Sequence, residues 1–173
     1  MKSLATVVFL IICLSSSHGN SFSVGGESRN QATERTVVEL VNRARAKGMR
    51  CGKTYYKAAP PVVWNDLLWQ ASLKHCSTMA RTGSLCHTDY YGGKPGDSVA
   101  RLGYKWSAYG ENVAEGYRTP EETVNGWLKS PEHCRTIMDP AFKEAGSCNT
   151  RGQRNIYWTL ILAAPDKRAV VGP

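Results

Sequence analysis

The chain has 173 residues, of which 22 are Lys or Arg and 14 are Asp or Glu, giving a formal net charge of +8 at pH 7. This length suits one domain around one hydrophobic core, and we detect no internal repeat. The basic residues are scattered rather than gathered in runs. That distribution argues against a nucleic-acid-binding patch and is typical of a solvated basic surface.

Residues 1–19 are predicted to be a secretory signal peptide. Lys2 precedes an apolar run over residues 3–14, and Ser17 and Gly19 are small residues at the two positions that signal peptidase reads. The run is shorter than the roughly 20 residues of a membrane-spanning helix. Two alternatives stay open: a buried N-terminal helix, and lipid attachment at Cys13, for which the preceding Ile12 is a poor match.

The remaining chain is predicted to contain three parts. Residues 20–32 are rich in Ser, Gly and Asn, which is typical of a disordered leader. The folded domain is predicted over residues 33–165, and residues 166–173 form a C-terminal tail. Removal of residues 1–19 leaves 21 basic and 14 acidic residues, so the exported chain keeps a net positive charge.

Export permits disulfide bonds, and five cysteines follow residue 19: Cys51, Cys76, Cys86, Cys134 and Cys148. The odd number leaves one cysteine over. Cys76 and Cys86 enclose a short loop and are the easiest pair to close. The sequence does not choose among the other three, although a bond from Cys51 to either later cysteine constrains the unfolded chain more. The sequence contains no Cys-x-x-Cys pair, which argues against a structural zinc knuckle.

Two amphipathic helices are predicted in the first half of the domain. The first runs from about Thr33 to a stop at Gly48, with apolar residues at helical spacing. The second begins at Asn65, a good N-cap, and ends at Gly83. His75 lies on the apolar stripe of the second helix, where a hydrogen-bonded core histidine is more common than a metal ligand. We therefore assign His75 a structural role.

The second half is predicted to contain two short helices and a strand hairpin. Thr119-Pro120 and Ser130-Pro131 each place a cap residue before a proline, which is a helix start. Strands are predicted over residues 145–150 and 155–164 with a turn between them, and the second is apolar enough to be a central strand. Several helices followed by antiparallel strands predict an α+β fold with a sheet between helices.

Two histidines and a carboxylate are the candidate site residues. His87 follows the second helix, Glu111 lies in Gly110-Glu111-Asn112, and His133 lies in the first turn of a short helix. The positive end of that helix favours the neutral, metal-ligating form of His133. Two imidazoles and a carboxylate can hold zinc or another divalent metal. The alternative is a hydrogen-bonded polar cluster that attaches the loops to the core.

Several short motifs along residues 36–164 resemble a known family in their order and spacing. They are Leu40–Arg45, Val63–Asn65 followed by Leu68, Ala71, His75 and Met79, then His87, Gly110–Ala114, Trp127–His133, Ile137–Pro140 and Tyr157–Thr159. Together they resemble the CAP superfamily, also called the SCP domain or the cysteine-rich secretory protein, antigen 5 and pathogenesis-related 1 family. The chain looks most similar to the compact bacterial-type branch.

The resemblance implies a three-layer α-β-α sandwich with a small, mainly antiparallel central sheet. In that family a central cleft is lined by two histidines and two acidic residues, and several members bind a divalent metal such as zinc there. Matched by motif, His87 and His133 correspond to the cleft histidines and Glu111 to the first acid. The second acid is expected three residues after Trp127, where this chain has Ser130. We interpret Ser130 as a helix cap whose hydroxyl binds backbone N–H groups.

Three functions from different classes are compatible with these residues. The favoured one is a secreted, nonenzymatic module that binds a lipid, sterol, glycan or protein ligand in or beside the cleft, because no activated nucleophile is evident. The second is a metal-dependent hydrolase in which zinc-bound water is the nucleophile. The third is a disulfide-stabilised structural or envelope-associated protein.

The expected location and partners follow from the signal peptide and the charge. We expect a monomeric extracellular protein, with the periplasm or cell envelope as the alternative location. Weak contact with anionic cell surfaces is compatible with the positive charge, and no nucleic-acid partner is expected.

Overall fold

The computed structural model describes residues 29–88, 93 and 96–166. The predicted signal peptide, most of the predicted leader and all but the first residue of the predicted tail lie outside these ranges. Among the residues within them, no helix has the length and hydropathy needed to cross a membrane.

The described residues form five helices and six strands. The helices are α1 (Arg29–Arg45), α2 (Asp66–Thr82), α3 (Asp97–Arg101), α4 (Pro120–Lys129) and α5 (Pro131–Met138). The strands are β1 (Met49–Cys51), β2 (Thr54–Tyr56), β3 (Val63–Trp64), β4 (Trp106–Glu115), β5 (Glu144–Arg151) and β6 (Ile156–Pro165).

Four strands form the central sheet in the order β3-β5-β6-β4. β3 runs parallel to β5, whereas the β5–β6 and β4–β6 pairs are antiparallel. The predicted central strand is confirmed, since β6 lies between β4 and β5 and is buried over residues 157–164. β1 and β2 form a separate hairpin. The sequence pattern did not predict β1 to β4.

Helices cover both faces of the sheet, which confirms the α-β-α sandwich. Successive residues of a strand point to opposite faces. Leu160 and Leu162 of β6 pack with α1, α4 and α5, whereas Ile161 and Ala163 pack with α2 and α3. Each face therefore has its own hydrophobic core, and the two cores share β6.

The helix ends follow the local chemistry of the sequence. α1 begins at Arg29, four residues before the predicted start. The predicted cap of α2 is confirmed, because Asn65 Oδ1 accepts hydrogen bonds from the N–H groups of Leu67 at 2.9 Å and Leu68 at 3.2 Å. Gly83 ends α2 with a left-handed backbone (φ 68°), a conformation that glycine adopts without a steric penalty.

α4 and α5 begin at the predicted prolines, but their caps differ. Thr119 Oγ1 accepts the Glu122 N–H at 3.1 Å, as predicted. The interpretation of Ser130 as a side-chain cap is wrong, because its hydroxyl makes no capping hydrogen bond. Ser130 is shared by both helices, and its backbone makes the connection. Its N–H donates to Trp127 O, and its carbonyl accepts from Cys134 N–H.

The disulfide bonds are Cys51–Cys134 and Cys76–Cys148. The expected Cys76–Cys86 bond is wrong, since Cys76 lies on the buried face of α2 opposite β5, whereas Cys86 lies beyond the end of the helix. The prediction that one cysteine is left over is confirmed by Cys86, which is half-buried and free.

Arg45, the last residue of α1, is fully buried. Its guanidinium donates hydrogen bonds to four backbone carbonyls, those of Pro60 at 2.8 Å, Ile137 at 2.6 Å, Asp139 at 2.9 Å and Phe142 at 3.3 Å. Burial lowers the pKa of this guanidinium. Arg45 thus joins α1 to the segment before β3 and to the connection between α5 and β5.

Candidate functional site

Glu111 lies in the middle of β4, which is an edge strand of the sheet. Five residues of β4 precede it. Gly110 before it allows α5 to approach closely: a Cβ on Gly110 would lie 2.9 Å from Thr136 Cγ2 and 2.7 Å from Phe142 Cζ. The glycine therefore sets the distance between β4 and the helix that carries His133.

The carboxylate of Glu111 is held by two side chains. Its Oε1 accepts a hydrogen bond from His87 Nδ1 at 2.8 Å, and its Oε2 accepts one from the Tyr109 hydroxyl at 2.8 Å. The Glu111 side chain is 7% exposed, whereas the His87 side chain is 54% exposed. Because a carboxylate can only accept, the proton of neutral His87 lies on Nδ1, and Nε2 is the free ring nitrogen.

His75 lies next to this pair and is buried. Its Nε2 donates to the carbonyl of Cys86 at 2.8 Å and lies 3.7 Å from Glu111 Oε1. The contact with Cys86 supports the structural role expected for His75. It also fixes the residue that precedes His87, so His75 positions the loop on which His87 lies.

His133 lies on α5, near enough to His87 for the charge of that ring to act on it. Burial lowers its pKa, the positive charge of His87 lowers it further, and Glu132 acts in the opposite direction. Its carbonyl accepts a hydrogen bond from Asn112 Nδ2 at 3.1 Å. The side chain of Asn112 is fully buried, and its Oδ1 has no hydrogen-bond partner in the described part of the chain. Asn112 thus attaches His133 to β4.

Sequence reasoning did not find Tyr109, and it gave His75 a structural role without placing it at the site. Tyr109 lies two residues before Glu111, so on a strand both side chains point to the same face. That spacing is informative only once residues 106–115 are recognised as a strand. Within the described ranges, no group of three or more His, Cys, Asp or Glu side chains is arranged to hold a metal ion.

We expect His87 and His133 to titrate on opposite sides of the ordinary histidine pKa of 6.5. The hydrogen bond to Glu111 raises the pKa of His87, whereas burial lowers that of His133. The His87 contact therefore stabilises the fold most below the unfolded pKa, and this contribution is lost as pH rises through the folded pKa. The lowered pKa of His133 has the opposite effect on stability. Protonation of this buried ring destabilises the fold as pH falls.

NMR titration of the imidazole resonances of metal-free protein measures both pKa values. Glu111→Gln should lower the pKa of His87, because it removes the carboxylate. The control Glu132→Gln should leave His87 unchanged and lower the pKa of His133. A His133 pKa above that of His87 would contradict this geometry.

The fold and the motifs now define the class of protein. The model of the cysteine-rich secretory protein (CAP) family matches residues 38–162. The chain belongs to this family.

Relatives and solved structures agree with this assignment. The Bacillus subtilis protein YkwD is 30% identical over 115 residues, which cover 66% of this chain and 41% of YkwD. An extracellular SCP-domain protein from Bacillus anthracis superposes with a TM-score of 0.62 at 19% identity, over 78% of this chain and 41% of that one. An outer surface protein from Borrelia burgdorferi superposes with a TM-score of 0.65 at 16% identity, over 76% of this chain and 92% of that one. The structural matches, at these identities, show the fold.

Proposed function

We propose that this protein is an extracellular CAP module that binds a divalent metal ion, such as zinc, through His87 and His133. The observation that carries the proposal is the hydrogen bond from His87 Nδ1 to Glu111 Oε1. Metal-ligating histidines usually donate their other ring N–H to a carboxylate or carbonyl, which fixes the tautomer and the ring orientation. Glu111 gives His87 this arrangement, with Nε2 as the ligand atom.

The electrostatics of the site favour ligation by His133, whereas the raised pKa of His87 means that a metal would displace a proton from that ring. Metal ligation requires neutral imidazole, and burial favours the neutral form of His133 by lowering its pKa. The effect of His87 on the pKa of His133 indicates that both rings belong to one electrostatic neighbourhood. Imidazole nitrogen is a common zinc ligand, and His87 and His133 would supply two of the four coordination positions.

Glu111 fits the site as the support of His87 rather than as a third ligand, because both of its oxygens already accept hydrogen bonds. Ser130, at the position where the family resemblance leads us to expect a second acid, adds no carboxylate. A bound zinc ion would act there as a Lewis acid with open coordination positions. We therefore propose a binding role rather than a catalytic one, in which the metal and cleft contact a lipid, sterol, glycan or protein ligand.

The extracellular location has two supports. Disulfide bonds persist in oxidising compartments, and this chain has two. Two structural relatives are described as an extracellular protein and an outer surface protein.

Native mass spectrometry with added zinc tests the metal site. We expect one zinc ion per chain, lost in the double variant His87→Ala, His133→Ala. Glu111→Gln should weaken binding by about 10- to 100-fold, since it removes the support of a ligand. The matched control Glu132→Gln, an exposed acid beside His133, should bind like the parent.

Zinc retained by the double histidine variant would overturn the proposal. So would the absence of zinc from the parent protein, which would leave His87 and Glu111 as a structural hydrogen-bonded pair. Circular dichroism of each variant shows whether lost binding reflects lost folding.

A further inference from the structure

The hairpin of β1 and β2 carries exposed basic residues and no acidic ones. Residues 40–65 contain six Lys or Arg residues and no Asp or Glu. Arg45 is the one buried member of this set. Four of the exposed members lie on the hairpin or directly beside it, namely Lys47, Arg50, Lys53 and Lys57. In the described part of the chain, none of these four forms an ion pair with an acid.

The acid that follows the hairpin contact on α5 is already offset. A Cβ on Gly52, in the hairpin turn, would lie 3.1 Å from Pro131 Cβ, so the turn approaches the first turn of α5. Glu132 comes next on that helix, and its Oε1 lies 3.6 Å from Arg135 Nη2. The positive charge of the hairpin is therefore not cancelled by Glu132.

The hairpin has an inward and an outward face. Met49 and Tyr56 pack against the hydrophobic core, and Cys51 is buried within it. Because side chains alternate along a strand, Arg50 and Tyr55 point outward, and the register pairs them directly. The Cβ atoms of such a pair are about 4.5–5.5 Å apart. A guanidinium and an aromatic ring thus lie side by side on the exposed face.

This face is held in place by its attachments. A two-stranded hairpin alone is only marginally stable in water. Here the Cys51–Cys134 disulfide bond links β1 to α5, and Arg50 Nη1 donates a hydrogen bond to the Lys53 carbonyl at 3.3 Å. A preorganised surface loses less conformational entropy on binding than a flexible one. The hairpin therefore suits a binding role better than a loose basic segment would.

The ring of Tyr55 lies along the hairpin and is open to solvent. Tyr55 is 59% exposed, and its hydroxyl oxygen lies 2.9 Å from the position that a Cβ on Gly48 would occupy. The ring therefore rests against the base of the hairpin instead of projecting from it. An exposed aromatic ring in this position can pack against the apolar C–H face of a sugar ring.

The same geometry disfavours a lipid bilayer as the partner. Tyr55 is the one exposed large hydrophobic residue within residues 47–57. Stable attachment to a bilayer needs a larger buried apolar face or a covalent lipid in addition to basic residues. A linear acidic polysaccharide instead requires cations for its acidic groups and a flat apolar surface for its rings, and this hairpin supplies both.

We propose that Lys47, Arg50, Lys53, Tyr55 and Lys57, together the basic hairpin surface, bind a linear acidic polysaccharide. The basic side chains donate charge-assisted hydrogen bonds to sulfate, carboxylate or phosphate groups, and one sugar ring packs on Tyr55. The proposal uses none of the cleft residues and does not depend on a bound metal.

Calorimetry with a heparin-derived decasaccharide at low ionic strength tests the surface. The parent protein should bind it, in the presence of EDTA as well, and binding should weaken as salt is added. A neutral dextran oligosaccharide of similar length should not bind. The double variant Arg50→Glu, Lys53→Glu should weaken binding by at least about 30-fold, because two favourable charges become repulsive.

Arg151→Glu, Arg154→Glu is the matched control. It makes the same change in net charge at two exposed arginines beside the turn between β5 and β6. This control should lose less than about threefold in affinity, since it only lowers the long-range field. An equal loss in both double variants would overturn the proposal, because net charge alone would then explain binding. All variants are first shown to be folded by circular dichroism.

Tyr55→Ser tests whether the partner is a sugar. It should weaken decasaccharide binding by about three- to tenfold and leave binding of inorganic polyphosphate, which has no rings, unchanged. Three results would overturn the proposal: no decasaccharide binding by folded parent protein, an equal effect of Tyr55→Ser on both polyanions, or tighter binding to vesicles of phosphatidylcholine and phosphatidylserine than to the decasaccharide. Zinc binding measured on the same variants keeps this outcome separate from that of the cleft.

Discussion

Replacing Arg45 by Met is expected to lower the free energy of unfolding by at least about 3 kcal/mol. The substitution removes four hydrogen bonds from a fully buried guanidinium and leaves the carbonyls that accepted them without this donor. Hydrogen bonds to charged groups contribute about 1.5–3 kcal/mol each, and removal of one partner from a buried network is among the most destabilising changes. Urea denaturation followed by tryptophan fluorescence measures the loss.

Arg43→Met is the matched control for this variant. Arg43 lies two residues earlier on α1 and is exposed, so the same substitution should change the unfolding free energy by less than about 0.5 kcal/mol. A loss below about 1 kcal/mol for Arg45→Met would show that the buried guanidinium contributes little net stability. The free energy of unfolding of most domains is only about 5–15 kcal/mol, so the loss expected for Arg45→Met is a large fraction of the total stability.

The double variant Cys76→Ala, Cys148→Ala is expected to be less stable by about 2–5 kcal/mol. The bond closes a loop with a sequence separation of 72 residues, which restricts the unfolded chain strongly. Both cysteines are also fully buried, so the variant loses packing between α2 and β5. Thermal and chemical denaturation under non-reducing conditions measure the difference.

A peptide map under non-reducing conditions checks the pairing itself. It should recover Cys51 with Cys134 and Cys76 with Cys148, and a thiol-specific label should react with Cys86. Cys86→Ser, the control, should cost less than about 1 kcal/mol, since Cys86 is half-buried and unpaired. Recovery of a peptide that links Cys76 to Cys86 would contradict the structure.

Local chemistry was sufficient to predict α2, α4 and α5. The helix starts are marked by cap residues and prolines that act within one helical turn, namely Asn65, Thr119 and the two prolines. Such local features can be recognised in a single sequence. β6 was predictable because it is apolar along nearly its whole length. β4 was not, because its first residues are exposed and only residues 112–114 are buried, so neither an alternating nor a continuous apolar pattern is present.

The candidate site was predictable only as a list of residues. Motif order identified His87, Glu111 and His133, and the structure brings His87 and Glu111 into contact. The roles of Tyr109 and His75 depend on the pairing of β4 with β6 and on the packing of α2, which are contacts between distant parts of the chain. The prediction of the disulfide pairing failed for the same reason. A short loop favours Cys76–Cys86, but the fold sets the direction in which Cys76 points.

The two disulfide bonds lie next to two histidines of the candidate site. Cys76 directly follows His75, and Cys134 directly follows His133, so each of these histidines is next to a covalent cross-link. One bond links α2 to β5, and the other links α5 to β1. Each bond therefore holds the backbone beside one of these two histidines. In a reducing compartment the chain would lack both of these cross-links beside His75 and His133.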